Sequence, residues 1–376
     1  MHRPLASAGW YDIVSVCADG RSRAGSVETL SEGGRVRARR RTIMAYKTAI
    51  LGVTGAVGTE FLKILDQRDF PLASLKLLAS HRSAGKKITF RGEELTVEEV
   101  TEASFKGLDL VLSSAGGSVS KRFAPAIKAA GCVMVDNTSA FRMAPDVPLV
   151  IPEINAEDIK THNGIIANPN CSTIIMNVPV WPLHKANPIR RIVVSTYQAA
   201  SGAGAKAMAE LEAGARAMLD GKEFTPQVLP HVAAFNVFSH NSAVGPDGYN
   251  EEETKMVRET RKIFHAPEIL ITATCVRVPV MRAHSEAINL QFTNPITDQE
   301  VREILAGAAG VKVVDDRAKN YFPMPLDATD QDDVLVGRIR QDISQPDGRG
   351  IDLFVSGDQI RKGAALNAVQ IAEALN

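Results

Sequence analysis

From residue 46 to about 172 the chain alternates short apolar runs with glycine-rich turns and amphipathic stretches. Thr48 to Val53 predicts a strand. The stretch after it carries apolar residues at Val57, Phe61, Leu62 and Leu65, a helical spacing. "LKLLAS" (75–80), "LDLVLSSAGG" (108–117), "CVMVDNTSAFR" (132–142) and "GIIANPNCS" (164–172) each hold a further short strand. The third run leads through a turn into a predicted helix at "KRFAPAIKAAG". Nearly all-apolar strands alternating with helices predict a parallel sheet covered on both faces.

Past about residue 190 the pattern changes. "EILITATCVRVPV" (268–280), "SEAINLQFTN" (285–294), "VLVGRIRQD" (334–342) and "IDLFVSGDQ" (351–359) are longer, and several alternate, as at Ile288, Leu290 and Phe292. Alternation marks a sheet with one polar face, antiparallel or mixed. "RRIVVSTYQAASGAG" adds a strand and a glycine-rich loop, and the chain ends in an amphipathic helix, "KGAALNAVQIAEALN". The expected class is α/β. A first domain spans 44–172, an α+β domain with a mixed, largely antiparallel sheet spans 173–356, and a terminal helix spans 357–376.

Residues 1–43 follow neither pattern; they carry Ser, Gly and the run "RVRARRR". Three readings stay open. A targeting peptide is weakened by Asp12, Asp19, Glu28 and Glu32. The second is a start at Met44, since "MAYKTAILGVTG" enters the first strand at once, and the third is a disordered tail. No basic start with an apolar stretch makes a secretory signal.

Length and composition narrow the class. The 376 residues suit roughly two domains. Forty-three Lys and Arg balance 43 Asp and Glu, which leaves no footprint for nucleic acid or an anionic membrane surface. Cys17, Cys132, Cys171 and Cys275 show no CxxC spacing, so neither a disulfide framework nor a zinc cluster is expected. Free thiols predict a reducing compartment, the cytoplasm. No apolar run reaches the length of about 18 residues that a membrane helix needs.

The candidate chemistry starts at the first turn. "GVTGAVG" sets Gly52, Gly55 and Gly58 between strand and helix, where a pyrophosphate can approach the helix N-terminus. This makes the first domain Rossmann-type, although the spacing is GxxGxxG. An NAD site wants an acid at the end of the second strand; "ASHRSAGK" offers Ser80, Arg82 and Ser83 instead, which suits the 2′-phosphate of NADP. Cys171 follows "NPN" at the head of a predicted helix. The dipole there lowers a thiol pKa, so Cys171 is expected to carry thiolate near neutrality. Cys132 and Cys275 lie inside apolar strands and read as structural. A cysteine nucleophile beside a nicotinamide points to aldehyde oxidation through a thioester. Such chemistry needs a base, and His284 stands out for it, at a break between two strands, with His184, His231 and His240 still open.

Together "GVTGAVG", "ASHRSAGK", "DNTSAFRM", "NPNCSTI", "QAASGAG", "VRVPVMRAHSE" and "KGAALNAVQIAE" resemble the aspartate-semialdehyde dehydrogenase family over about 46–376. The resemblance implies NADPH-dependent reduction of aspartyl phosphate to aspartate semialdehyde and phosphate, on the route to lysine, methionine and threonine. It implies Cys171 as nucleophile, His284 as acid/base and Gln198 orienting substrate near the thiol. Arg277 would grip the substrate carboxylate and Glu252 the ammonium, with Arg142 and Lys255 at the phosphate. Thr54, Gly55, Ala56, Val57 and Gly58 would meet the pyrophosphate, and Ser80, Arg82 and Ser83 the 2′-phosphate. Ser201 and Gly202 would lie by the nicotinamide, while Gln359 and Asn367 would return with the last helix to the cofactor domain. The second domain would form a homodimer or homotetramer. Rival readings are an N-acetylglutamyl-phosphate reductase, an acyl-CoA reductase, and a non-catalytic nucleotide-binding paralogue.

Overall fold

The computed structural model describes residues 45–375, so the readings made for 1–43, Cys17 among them, lie outside the described residues. In chain order the elements of the first half are β1 (Tyr46–Leu51), α1 (Ala56–Gln67), β2 (Leu72–Ala79), β3 (Lys87–Phe90), β4 (Glu93–Glu99), β5 (Leu110–Ser113), α2 (Gly117–Ala129), β6 (Val133–Asp136), α3 (Pro152–Asn155) and β7 (Ile165–Ala167). After α4 (Cys171–Ala186) come β8 (Ile189–Gln198), α5 (Ala205–Leu219), β9 (Phe238–Ser239), α6 (Glu251–Ile263), β10 (Leu270–Arg277) and β11 (Ala283–Phe292). Then follow α7 (Asp298–Ala306), β12 (Val311–Val313), α8 (Pro325–Ala328), β13 (Val334–Gln341), β14 (Gly350–Asp358), a π turn at Arg361–Ala365 and α9 (Leu366–Glu373).

The first sheet runs β3-β4-β2-β1-β5-β6-β7, parallel except where β3 meets β4. Its strands β1, β5, β6 and β7 are largely apolar because both faces are covered. Ile50 packs with Phe61 and Leu65 of α1 and with Leu366 and Val369 of α9. Ala49 and Leu51, one residue to either side, pack with Phe123 and Ile127 of α2. The β3–β4 hairpin is absent from the sequence reading; its residues are largely polar, and Arg91 and Gly92 at its tip take φ 46° and 84°. Two positive φ values in a two-residue loop match the twist of a tight hairpin. β1 and β5 are neighbours, while the chain leaves β1 for β2 on the other side. That is the point where strand order reverses, and ligands of open α/β sheets bind at the strand ends there.

The second sheet runs β12-β13-β14-β11-β8-β10-β9. β8 and β10 are parallel, and β11 is antiparallel to both β8 and β14. The strands β8 and β10 therefore finish at the same edge at which β11 begins and β14 ends. α4, with its buried residues from Ser172 to Leu183, covers one face of this sheet. Gly357 on β14 lets it sit close, since a Cβ there would lie 3.0 Å from Ile175 Cγ1.

Charge fixes the terminal segment against the first sheet. Glu60 of α1 meets Arg282 at 3.1 Å and Arg361 at 3.0 Å. Lys362, fully buried, reaches Glu153 at 2.6 Å, Asn367 at 3.0 Å and Gln370 at 2.7 Å. Such groups hold charge away from water only when every donor is met.

Candidate active site

Asn170 caps α4: its Oδ1 accepts the Thr173 N–H at 3.2 Å. Two carboxylates fix the same residue, Glu259 accepting its backbone N–H at 2.6 Å and Glu252 its side-chain N–H at 2.7 Å. Cys171 is thus set on the first helical turn, with Sγ 3.6 Å from His284 Nε2. Glycine surrounds the pair. A Cβ at Gly363 would stand 3.1 Å from Cys171 Cβ, and one at Gly202 would stand 2.8 Å from Arg277 Nη1 and 3.2 Å from His284 Nε2.

The strand directions explain how Arg277, Gln198 and His284 meet. Arg277 ends β10 and pairs with Gln198, which ends β8. β11 passes β8 the other way, with Ser285 opposite Tyr197, so His284 lies beside Gln198. All three are buried. The Arg277 guanidinium donates to Ala199 O at 3.0 Å and to Asn241 Oδ1 at 3.2 Å, and its Nη2 contacts His240 Nε2 at 2.8 Å. Two of its five N–H groups remain for a ligand. His284 Nδ1 accepts the Ala199 N–H at 3.0 Å. A backbone N–H can only donate, so the neutral ring carries its proton on Nε2, the nitrogen aimed at Cys171.

α6 supplies the charges. Glu252, Lys255 and Glu259 fall at i, i+3 and i+7, one face of the helix. Burial opposes charge on Glu252, but Lys255, His240 and hydrogen bonds from Asn170 and Gln198 bring it down to about 2. It is a carboxylate with Gln198 Nε2 at 3.2 Å and Lys255 Nζ at 3.2 Å. Arg142 donates to Asn168 O, Asn137 O and Glu259, at 2.9, 2.8 and 3.1 Å, which again leaves N–H groups free to face the cavity.

The protonation states correct one expectation. Burial, with Glu252 adding to it, pushes the Cys171 thiol up to about 12, against the pull of Arg277 and Arg142. Burial and then Arg277 push His284 down to about 3. The resting pair is neutral: desolvation outweighs the helix terminus, and the expected depressed thiol is not what the site holds. Below its pKa a thiol gains thiolate tenfold per pH unit. Iodoacetamide alkylation of Cys171 in the resting protein will therefore climb about tenfold per unit from about pH 6 to about pH 10 without a plateau. A plateau near neutrality would restore the depressed thiol. Cys132 and Cys275 are buried, and burial raises both thiols.

Cys171, Gln198, Arg277, Glu252, Lys255 and Arg142 line one cavity of about 370 Å³. A second cleft of about 630 Å³ opens at the ends of β1 and β5, lined by Thr54, Gly55, Ser80 and Arg82, and the two share Ser114. Ser83 borders the cleft through Thr54, 3.3 Å away. The N-terminus of α1, at Ala56, has no side-chain cap. Gly58 serves the turn and not the cleft, since a Cβ there would stand 2.2 Å from Gly52 O; only glycine lets the turn close against itself. Val57, Gly202 and Gln359 face the reaction cavity. Ser201 donates to Arg282 O at 2.7 Å and is buried. Asn367 does not reach either space. It donates to Val150 O at 2.9 Å and Asn168 Oδ1 at 2.7 Å, and accepts from Lys362, so it ties the last helix to the first sheet.

Of the open histidines, only His240 enters the cavity. His184 stacks with Trp181 and accepts the Ile189 N–H at 3.0 Å, while His231 packs edge-on to Phe238. Sequence reasoning missed Asn170, Glu259 and Asn241 as parts of the site. The helical spacing from Glu252 could have found Glu259; nothing local marks Asn241.

The chain matches two family profiles, described as "Semialdehyde dehydrogenase, NAD binding domain" over residues 47–162 and "Semialdehyde dehydrogenase, dimerisation domain" over residues 180–362. It is 63% identical over 329 residues to the aspartate-semialdehyde dehydrogenase of Synechocystis sp., covering 88% of this chain and 97% of that protein. Among solved structures, aspartate semialdehyde dehydrogenase II of Vibrio cholerae complexed with ASA superposes with a TM-score of 0.85 at 43% identity, over 88% of this chain and 98% of that one. The Candida albicans aspartate semialdehyde dehydrogenase with NADP gives a TM-score of 0.67 at 26% identity, over 88% and 98%.

Proposed function

The chain belongs to the aspartate-semialdehyde dehydrogenase family, and from that premise we propose that it reduces L-4-aspartyl phosphate to L-aspartate 4-semialdehyde and phosphate with NADPH. The observation that carries this reading is the Cys171–His284 pair at 3.6 Å, whose thiol lines a cavity that also offers a buried arginine and an ionised glutamate. Arg277 suits the substrate carboxylate, because its fork gives direction as well as attraction. The Glu252 carboxylate suits a free ammonium, which disfavours an N-acetylated substrate. Arg142 and Lys255 suit the phosphate.

Cys171 Sγ forms a bond to the acyl carbon as the carbon–oxygen bond to phosphate breaks, and the thiol proton ends, net, on the departing phosphate. Arg142 and Lys255 take up the charge on that leaving group. His284 Nε2–H donates a hydrogen bond to the negative charge that develops beside it, and one proton taken up from solvent and passed at that nitrogen returns the Cys171 thiolate to the thiol as the aldehyde leaves. Gln198, held between Thr196 and Glu252, orients the acyl group.

The cofactor residues fit NADP(H): an uncapped helix N-terminus faces the cleft, and Arg82 has no hydrogen-bond or ion-pair partner among the described residues. When bound, NADPH supplies the hydride that reduces the thioester. Arg82→Ala will raise KM for NADPH about tenfold, the worth of one charge-assisted hydrogen bond, and leave KM for NADH unchanged. Equal effects on both would remove Arg82 from the 2′-phosphate.

A homodimer through the open face of the second sheet is supported by the dimerisation profile and by Tyr197, 39% exposed, beside Phe354 on that face. Among the described residues no helix is long and apolar enough to cross a membrane. A reducing cytoplasm suits the free thiol of Cys171. The test is to mix purified protein with aspartate semialdehyde, NADP and phosphate and follow reduced cofactor by absorbance. Phosphate-dependent reduction supports the reading. No reduction by folded protein that binds NADP overturns it.

A further inference from the structure

Beneath Arg277, Gln198 and His284 the same sheet face carries a second row. By strand register it holds Cys275 on β10, Thr196 on β8, Glu286 on β11 and Val355 on β14. The row below that, Ala273, Val194, Ile288 and Leu353, is apolar and buried. Glu286 is 0% exposed, and neither of its carboxyl oxygens has a hydrogen-bond partner among the described residues. A native fold rarely leaves a buried carboxyl unmet without a use for it.

Its cross-strand neighbour indicates the use. Side chains directly opposite on antiparallel strands lie within about 5.5 Å at Cβ, so Glu286 and Thr196 leave the sheet as direct neighbours on its buried face. Thr196 Oγ1 donates to Gln198 Oε1 at 3.1 Å, and Gln198 Nε2 donates to Glu252 Oε1 at 3.2 Å. Every bond of this chain points the same way and ends on a carboxylate. The Thr196 oxygen still has acceptor capacity at its head.

We propose that Glu286 is a positioning residue: it donates into Thr196 Oγ1 across one internal water and so holds the Gln198 amide with its oxygen toward Thr196 and its nitrogen toward Glu252. The proposal rests on the reading of Gln198 as the group that orients the acyl carbon at Cys171. Burial pushes the Glu286 carboxyl well above its ordinary range, so it keeps a proton to give. An ionised Glu286 could only accept. The Thr196 hydroxyl would then turn toward it, and Gln198 Oε1 would lose its donor.

The experiment compares Glu286→Gln, Glu286→Leu, Thr196→Val and the double variant Glu286→Leu/Thr196→Val in the full-length protein. Glu286→Gln keeps a donor and should hold kcat within about twofold of wild type, whereas Glu286→Leu and Thr196→Val should each lower it about tenfold. KM for NADP should not move. The double variant should be no slower than Thr196→Val, because both changes break one chain. A purely structural Glu286 would instead lower the melting temperature and leave kcat of the folded enzyme intact. Infrared spectra of wild type minus Glu286→Gln should show the carbonyl band of a protonated carboxylic acid, with no substrate or cofactor present. That arm is independent of the substrate reading. Three results would overturn the proposal: no such band, wild-type kcat in Glu286→Leu, or effects that multiply in the double variant. Should Glu286→Leu fail to fold, the band, Glu286→Gln and Thr196→Val decide: Glu286→Gln falling as far as Thr196→Val refutes it.

Discussion

Cys171→Ala will fold as the wild type does and will turn over aspartate semialdehyde at least about 10⁴-fold more slowly, since covalent catalysis has no substitute once its nucleophile is gone. The substitution removes one atom from the first turn of α4. The helix keeps its Asn170 cap, and the hydrogen bonds from Asn170 to Glu252 and Glu259 do not involve the thiol. The melting temperature should therefore stay near wild type. No neighbour can take over the attack. The hydroxyl of Ser172 is buried and unbonded, and Cys132 and Cys275 are held inside the fold. NADP affinity should persist, because the cofactor cleft does not include Cys171. Single-turnover reduction of NADP, read against circular dichroism and NADP binding, checks all three statements. Residual turnover above about a thousandth of wild type in a folded, NADP-binding variant would mean that the thiol is not the nucleophile.

The parts of this design that sequence reveals are those encoded by neighbours along the chain. The strand–turn–helix around Gly52 and Gly55 and the cap ahead of Cys171 are local patterns, and each lies where the residues put it. The polar β3–β4 hairpin was invisible because edge strands lack the apolar signature that buried ones must have. The site itself is a non-local object. Arg277, Gln198 and His284 come together only because β8 and β10 run parallel and β11 returns between β8 and β14. No window of sequence contains that fact, and family resemblance had to stand in for it. Protonation is the least legible layer. From sequence, Cys171 has a helix terminus to lower its pKa; in the fold, desolvation at the partly buried thiol and the charge of Glu252 push the other way, and these win. Asn367 fails for a related reason, its position in the first turn of α9 giving no hint that Val150, Asn168 and Lys362 use up its amide.

Arg277→Ala should lower kcat/KM for aspartate semialdehyde between about 30-fold and about 4000-fold, the range for removing one partner of a buried, hydrogen-bonded charge pair. The guanidinium is 4% exposed and anchored by Ala199 O and Asn241, with His240 beside it. That anchoring means it costs little order to bind a carboxylate, which is where a pre-formed fork exceeds a flexible ammonium. Arg277→Lys should consequently recover only part of the loss, because lysine keeps the charge but cannot reach Ala199 O, Asn241 and a substrate carboxylate together. Most of the change should appear in KM for the amino-acid substrate, with KM for NADP unmoved, since Arg277 lines the reaction cavity and not the cofactor cleft. Some fall in kcat is also expected: Arg277 lies against Gly202 and is coupled to His284, whose ring it helps keep neutral. A control with a substrate analogue lacking the α-carboxylate separates the two contributions. Wild type should use that analogue poorly, and Arg277→Ala should use it about equally poorly. If the variant lost as much against the analogue as against the full substrate, Arg277 would be holding the site together and not the carboxylate.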